Sequence, residues 1–314
     1  MDLSVIMPCH AEGSRLIDAV RSVIDQEWLP DEYEIIVIPD GARDEATREA
    51  LQRAKALSPA VRITPDAGGR GAAAARNAGV DAASGTWLAF LDADDVWTPQ
   101  SVRRRWEALA RFPDAVWVAG DFNRVAEDGT VIVESARAAR DCSPDPYGAA
   151  FSESGPATIK YPFMAFLECA PPWMGTVMLK SAIFRDAGGF LEGMKIAEDV
   201  HLWRRLALRH HLVFVPDILA TYTKRSGSLT HITLPPGGWE RMSFWLLLSE
   251  APDPTYRKAI RKRLVRHYVE DMWYYRHQND LRHALAMVLG SIRQRPWDPL
   301  LWRWFIGTLF KRVP

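Results

Sequence analysis

The chain has 314 residues, of which 48% are hydrophobic and 25% charged, the composition of a globular protein with one or two domains. Its formal net charge is zero, so the overall charge gives no reason to expect nucleic acid as a partner. The charge is unevenly spread, because residues 250–314 contain 13 Lys and Arg against 6 Asp and Glu.

The first residues, MDLSVIMP, begin a strand at once and lack the basic region and cleavage site of a signal peptide. No apolar run approaches the roughly 18 residues that a membrane span needs. Cys9, Cys142 and Cys169 are an odd number at scattered spacing, which predicts neither a disulfide framework nor a zinc site and favours a reducing compartment. We therefore expect a cytoplasmic protein, with or without peripheral contact to the inner face of the membrane.

Short apolar runs alternate with helical patterns over the first 125 residues. We expect strands at LSVIMP, EIIVIP, VRI, WLAFLD and AVWVAGDF, and helices at 14–27, 45–57, 99–112 and after GGRG. Strands separated by helices of about a dozen residues predict a parallel sheet covered on both faces. Ligands of such sheets bind beyond the carboxyl ends of the strands.

The second part of the chain is less regular. Residues 130–163 are rich in Ser, Pro, Gly and acids, which predicts loops. Strands are expected at TVMLK, LVFVP and LATYT, helices at SAIFRDAGGF and AEDVHLWRRLALRHH, and only helices beyond Gly238. The pattern suggests three regions, 1–125, 126–235 and 236–314.

Three carboxylates follow the buried run WLAFL, at Asp92, Asp94 and Asp95. Burial normally excludes charge, so acids at the end of such a strand are hydrogen-bonded, metal-bound or functional. Asp92 and Asp94 could both turn toward one hard cation such as magnesium or manganese. The alternative is that Asp92 accepts hydrogen bonds from loop amides while Asp95 starts the next helix.

Two nucleotide-binding motifs are excluded. No GxxxxGK[ST] segment is present. PCHAEGSRL has one glycine, and GGRGAAAA lacks the third glycine of the GxGxxG dinucleotide fingerprint. Phosphates would have to be held another way, and a metal on acidic ligands is the obvious substitute.

Five blocks, in order, resemble the inverting nucleotide-sugar transferases of glycosyltransferase family 2. SVIMPCHAEGSRL resembles their SVIIPxYNxxxxL, EIIVIPDG their EIIVVDDG, and GGRGAAAARNAG their loop ending in ARNxG. WLAFLDADD resembles their DxD motif, and GGF followed by AEDVHLWRRL their GGF…EDxxLxxRL block. The resemblance covers about residues 3–231.

The resemblance implies a GT-A fold, an α/β architecture with a mostly parallel central sheet and helices on both faces, here with a C-terminal helical extension. It also implies a nucleotide-diphospho-sugar donor, with a UDP-sugar favoured, and Mn²⁺ or Mg²⁺. Residues 1–125 would then bind the nucleotide-sugar, and residues 126–235 the acceptor and catalytic base. Ala11 and Pro39 depart from the family pattern and weaken statements about which base is recognised.

Position by position, the resemblance assigns Asp40 to the nucleobase, His10 to stacking near it, Asp92 to the ribose, Asp94 to the metal and Asp199 to the general base. Further contacts with the nucleotide-sugar are expected from Pro8, Glu12, Gly71, Arg76, Asn77 and Ala93. His231 is a second candidate metal ligand, and Trp173, Glu198 and Arg225 are candidates for acceptor contact or support.

Each assignment has a structural alternative. Glu198 and Asp199 could be first-turn acids that complement the helix dipole, and His10 a polar residue at a strand end. Arg76 and Asn77 could lie on a helix surface. His231 could be an ordinary loop residue and Trp173 a core residue.

These residue types suit glycosyl transfer. A cation on Asp94 would neutralise charge that develops on the leaving diphosphate. A carboxylate within about 3 Å must take the proton of the attacking hydroxyl, and an Asp with an ordinary pKa of about 3.9 is already ionised near pH 7. One base and no enzyme nucleophile imply a single displacement with inversion, which adds a sugar to a surface polysaccharide, lipopolysaccharide or glycolipid.

Two other functions stay open, a non-catalytic sugar-nucleotide-binding protein and a nucleotidyltransferase. The C-terminal segment PLLWRWFIGTLFKRVP, with flanking Arg and Lys, leaves three alternatives. It could lie in a membrane interface, cover the catalytic domain or form a homodimer contact.

Overall fold

The first two strands are buried beneath the helices that connect them, whereas the third, at the edge of the sheet, is only partly buried. β1 (Leu3–Cys9) pairs in parallel with β2 (Tyr33–Pro39), and β2 with β3 (Val61–Ile63). β1 also pairs in parallel with β4 (Trp87–Phe90). The connecting helices are α1 (Arg15–Ile24), α2 (Glu45–Leu57) and α3 (Ala72–Asp81). The predicted order of strands and helices is confirmed here.

The computed structural model describes residues 1–139, 155–225 and 238–310. Cα packing divides the chain into two units, Met1–Ser226 and Gly227–Pro314. The boundary suggested at 125/126 falls inside the strand Trp117–Ala126, and the one at 235/236 lies outside the described residues. The three-region division therefore stays a proposal.

The rest of the sheet departs from a purely parallel one. The remaining strands are β5 (Val96–Trp97), β6 (Trp117–Ala126), β7 (Val131–Val133), β8 (Ala157–Ile159), β9 (Met178–Lys180) and β10 (Leu212–Lys224). β9 lies between β4 and β6 and is antiparallel to both, while β6 and β10 are parallel. The sheet is thus mixed, with most of its longer strands running in one direction.

Three local predictions need correction. LVFVP and LATYT are one strand, β10, which continues through a bulge near Val215 and Ile218. β5 was not predicted, because two residues beside an acidic cluster carry no periodic signal. Residues 130–163 are not all loop, since they contain β7, β8 and the start of a helix.

The remaining helices of the first unit are α4 (Ser101–Arg111), α5 (Pro162–Glu168), α6 (Ser181–Asp186) and α7 (Glu198–Ala207). The second unit, where described, contains α8 (Gly238–Glu250), α9 (Pro254–His277), α10 (Leu281–Gln294) and α11 (Pro299–Leu309). The predicted helical character beyond Gly238 is confirmed for these residues.

None of the helices in the described ranges is long and apolar enough to span a membrane. Cys9 is a free, buried cysteine, but Cys169 is disulfide-bonded. Cys169 therefore departs from the prediction that the cysteines form no disulfide framework, and the cysteines no longer support a reducing compartment.

Candidate active site

The carboxyl ends of the parallel strands bring the predicted residues of the first 125 positions together. His10 follows β1, Asp40 follows β2, and Asp92 follows β4 by two residues. The three strands are neighbours in the sheet. The edge beyond their ends is therefore lined by polar groups, as the sequence predicted.

A buried arginine joins two parts of this edge. The guanidinium of Arg76, on α3, donates from Nη1 to Glu198 Oε1 and from Nη2 to Asp92 Oδ1, both at 2.6 Å. Arg76 is only 5% exposed, and its Cζ lies 5.8 Å from the centre of the Phe190 ring. Burial disfavours its charged form, but Asp92 and Glu198 outweigh burial and raise the pKa of Arg76. Arg76 is thus buried and does not lie on the helix surface, and its expected contact with the nucleotide-sugar stays a prediction.

Asn77 makes a second link between α3 and the segment before α7. Its Nδ2 donates to the carbonyl of Phe190 at 2.9 Å, and its Oδ1 accepts from the amide of Phe190 at 3.0 Å. Gly189 has φ +70° and allows this close approach because it has no Cβ, which would lie 2.9 Å from Asn77 Oδ1. Asn77 therefore holds the GGF segment, and its expected contact with the nucleotide-sugar stays a prediction.

Asp199, the predicted base, stands in the first turn of α7 beside Glu198. The helix starts after Ala197, whose φ of +66° is left-handed, an uncommon conformation for a residue other than glycine. Burial and the neighbouring Glu198 raise the pKa of Asp199 to about 7, although Arg76 and the amide of Val200 lower it. The expectation of an ordinary pKa at this carboxyl is wrong.

The other acids of the cluster have different partners. Asp94 Oδ2 accepts from Arg225 Nη1 at 2.6 Å, and burial together with Asp92 raises the pKa of Asp94. Asp95 is buried, and its Oδ1 accepts from the amide of Thr223 at 2.9 Å. Asp95 therefore fixes β10 beside the cluster instead of starting a helix. Ala93, between the acids, is buried in the core.

Asp40 holds the loop before α3. Its two carboxylate oxygens accept from the amides of Arg70 and Gly71, each at 2.8 Å. His10 is exposed, and its Nδ1 lies 2.5 Å from the carbonyl oxygen of Asp40. Both residues lie at the predicted edge of the sheet. The contact of Asp40 with a nucleobase and the stacking of His10 beside that base stay predictions.

The first loop is closed by Glu12, whose Oε2 accepts from the amide of His10 at 2.5 Å. Pro8 belongs to β1 and pairs in register with Ile38 of β2. Gly71, at φ +95°, is the N-cap of α3. These positions shape the loops around the edge, and their contacts with a donor remain predictions.

Trp173 lies in an aromatic group and not on an open surface. Its ring is 4.8 Å from the ring of Phe122 and 5.5 Å from that of Tyr222. A Cβ on Gly175 would lie 2.5 Å from the Trp173 ring. The structural alternative, a packing residue, therefore accounts for Trp173 better than stacking on a sugar does.

The donor set is suited to a divalent cation held partly by a ligand. The cluster and the first turn of α7 contain more carboxylates than guanidiniums. The carboxylates are Asp92, Asp94, Asp95, Glu198 and Asp199, and the guanidiniums are Arg76 and Arg225. In the described part of the chain no group of three His, Cys, Asp or Glu side chains could alone hold a metal. Asp94 fits as one oxygen ligand, with the remaining positions left for phosphate and water. His231 lies outside the described residues.

Two features were missed from the sequence. The bridging role of Arg76 depends on Glu198, 122 residues away, and no local pattern signals that pairing. Trp97 donates from Nε1 to the carbonyl of Gly175 at 2.7 Å, which ties the strand after the acids to the PPWMG segment. The placement of Trp97 directly after DADDV was the available signal.

Replacing Arg76 tests the bridge. Arg76→Met should lower the free energy of unfolding by about 3 kcal/mol or more, because two carboxylates lose a buried partner. Urea denaturation followed by circular dichroism measures the change. Arg70→Met is the matched control, since Arg70 pairs with Glu192 at the surface and should cost about 1 kcal/mol or less. Equal effects of the two substitutions would contradict a structural role of the buried bridge.

The left-handed Ala197 gives a second test. Ala197→Gly should raise the free energy of unfolding by about 0.5–1 kcal/mol, because relief of the left-handed strain exceeds the entropy cost of glycine. Gly129→Ala is the reverse change, at a residue with φ +84° and open space around its Cβ position. It should lower the free energy of unfolding by about 1 kcal/mol. A destabilised Ala197→Gly protein in the same denaturation assay would argue against strain at this position.

Comparison with known proteins agrees with the fold. Over its whole length the chain superposes on residues 1–349 of S. aureus TarS in complex with UDP-GlcNAc, covering 93% of that chain with a TM-score of 0.70 and 15% identity. A mannosyltransferase from Pyrobaculum calidifontis, in complex with GDP-Man and Mn²⁺, matches 98% of this chain and 86% of its own with a TM-score of 0.58 and 16% identity. These similarities establish a GT-A fold.

Among curated proteins, the putative teichuronic acid biosynthesis glycosyltransferase TuaG of Bacillus subtilis is 31% identical over 128 residues. That match covers 41% of this chain and 49% of TuaG, so the chain spans about half of this relative. The family model for glycosyl transferase family 2 matches residues 4–167, more than half of the chain. The sequence blocks, the fold and this match together place the chain in glycosyl transferase family 2.

Proposed function

We propose that the protein is an inverting glycosyltransferase that moves a sugar from a nucleotide-diphospho-sugar to an acceptor hydroxyl. The observation that carries the proposal is the Arg76 bridge, which connects Asp92 at the end of β4 to the first turn of α7, where Asp199 stands. A donor-side acid is thereby joined by hydrogen bonds to the helix turn that carries the candidate base. A single displacement needs both within reach of the same sugar carbon.

Asp94 is proposed as the protein ligand of Mn²⁺ or Mg²⁺. Asp92 is bound to the buried Arg76, and removing it from that ion pair would leave a buried charge uncompensated. Asp94 is bound to the more exposed Arg225, so its carboxylate is released at lower cost. When bound, the metal would supply positive charge to the leaving diphosphate. Arg225, once released, remains beside that negative charge.

Asp199 is proposed as the general base. A carboxylate with a pKa of about 7 is partly ionised at neutral pH and is a stronger proton acceptor than an ordinary Asp. Glu198 is held by Arg76 and is therefore the supporting member of the pair. No side chain in the proposed mechanism forms a covalent bond to the sugar, so the configuration at the anomeric carbon is inverted.

A UDP-sugar is the proposed donor and a glycan or glycolipid the proposed acceptor. TarS binds UDP-GlcNAc and TuaG is named for teichuronic acid biosynthesis, and these support a role in surface polysaccharide or lipopolysaccharide synthesis. The proposal places the enzyme in the cytoplasm, in peripheral contact with the membrane through residues 236–314. A homodimer through the same helices is the alternative.

The binding step can be tested by calorimetry. UDP should bind much more tightly with Mn²⁺ than without it, because the cation offsets the surplus of carboxylates. Asp94→Asn should remove most of this enhancement. Asp18→Asn, at an exposed position on α1, is the matched control and should change nothing. If none of the common nucleoside diphosphates binds in the presence of Mn²⁺, the proposed function fails.

The pH profile of transfer tests the base. With a pKa near 7, kcat/KM should rise tenfold per pH unit below about pH 7 and level off above it, because only the ionised carboxylate accepts a proton. An Asp with an ordinary pKa would give a flat profile from pH 5 to 8. Glu198→Gln should move the midpoint to lower pH, since the charge that raises the pKa of Asp199 is removed.

Asp199→Asn should retain binding of UDP and Mn²⁺ and lose transfer by at least about 100-fold, the usual contribution of a general base. Calorimetry and a product assay on the same preparation separate the two effects. Parallel loss of binding and transfer would contradict the assignment of Asp199 as base.

A further inference from the structure

Helix α11 is apolar on two sides. Its inner side packs against α9 and α10 through Leu301, Trp304 and Phe305. At 3.6 residues per turn, the opposite side carries Trp302, Arg303, Ile306, Leu309 and Phe310, which we call the outer face. A surface helix normally turns polar residues outward, so an apolar outer face indicates that something else covers it.

The outer face is open in the structure. Its four apolar side chains are between 45% and 66% exposed, and Trp297, just before the helix, is 93% exposed. Trp302 donates from Nε1 to the carbonyl of Pro296 at 2.8 Å, which fixes the segment carrying Trp297 against the start of α11. Asp298 caps the helix by accepting from the amide of Leu300 at 3.1 Å. The outer face therefore belongs to a helix whose first turn is capped and hydrogen-bonded.

The charge along residues 281–310 is mainly positive. Along α10 and α11, the exposed arginines are Arg282, Arg293, Arg295 and Arg303, and the one acid between residues 281 and 310 is Asp298. The Asp298 carboxylate lies 3.6 Å from Arg295, so its negative charge is largely offset. Arg303 stands on the outer face itself. A partner that carries negative charge and accepts Trp, Ile, Leu and Phe side chains fits this surface.

We infer that the outer face of α11, together with Trp297, docks on the surface of an anionic lipid membrane. Tryptophan and arginine beside aliphatic residues are the composition of helices that lie in a membrane interface. The anionic cytoplasmic leaflet attracts basic segments. A second copy of the chain fits less well, because stable protein interfaces take about 20–30 residues from each side and this patch offers six. The inference deepens the proposed function, since it would bring the enzyme to a lipid-linked acceptor.

Vesicle sedimentation of the full chain tests the inference without any sugar donor. The probes are vesicles of pure phosphatidylcholine and vesicles with about a third phosphatidylglycerol. Wild-type protein should sediment with the anionic vesicles about tenfold more strongly than with the neutral ones, and added salt should reduce this. The double variant Ile306→Glu, Leu309→Glu should lose about tenfold or more of the binding.

Ile132→Glu is the matched control, because Ile132 on β7 is as exposed as Ile306, at 49% against 54%. It should sediment like the wild type. Arg303→Glu is a second variant that leaves the apolar side chains in place, and it should weaken binding to anionic vesicles while leaving the weak binding to neutral vesicles unchanged. Circular dichroism checks that each variant is folded.

Three results would overturn the inference. The first is wild-type protein that stays in solution with anionic vesicles, and the second is unchanged binding by both outer-face variants. The third is a wild-type dimer in sedimentation velocity that the double variant converts to monomer, with no vesicle binding by either. Calorimetry of UDP with Mn²⁺ on the same samples should be unaffected, so failure of the docking surface and failure of the proposed function are distinguishable.

Discussion

One buried guanidinium holds the site together. Arg76 lies on α3, and its two terminal nitrogens are bound to acids that are 16 and 122 residues away. An unpaired arginine in this position would be costly, and so would either carboxylate without it. The three groups are therefore stable only as a set, which fixes the position of α7 relative to the end of β4. The polar edge of the sheet and the first turn of α7 cannot move independently.

The same bridge gives neighbouring acids different surroundings. Glu198 is held in an ion pair by Arg76. Asp199 has no such partner among the described residues, and burial together with the charge of Glu198 raises its pKa to about 7. Asp92 is bound to a buried cation and Asp94 to a more exposed one. Pairs of acids whose surroundings differ in this way are suited to different tasks. The ion pairs of Arg76 thus account for much of the difference between the roles that the proposed mechanism assigns to these acids.

The sequence predicted the positions of helices and strands better than the contacts between them. α2 was expected at 45–57 and is found at Glu45–Leu57, because its apolar spacing and the capping Asp44 are local features. The antiparallel direction of β9 was not predictable, since a three-residue strand carries no information about its neighbours. The polar edge followed from the strand ends, but the partner of Arg76 and the left-handed Ala197 depend on contacts made only in the folded chain.

The acid cluster is held from its other side as well. Trp97 follows the acids by two residues and donates to Gly175, and the guanidinium of Arg105 lies 4.2 Å over its ring. Arg105 is fully buried, and burial lowers its pKa to about 9. The PPWMG segment is thereby tied to β5, the strand that directly follows the acids. Transfer requires reacting atoms about 3–3.5 Å apart, a tolerance that loose loops do not meet. Arg76 contacts Asp92 at one end of the cluster, and Trp97 follows Asp95 at the other. An acceptor that contacts PPWMG would therefore be positioned by the same β4–β5 segment as the donor.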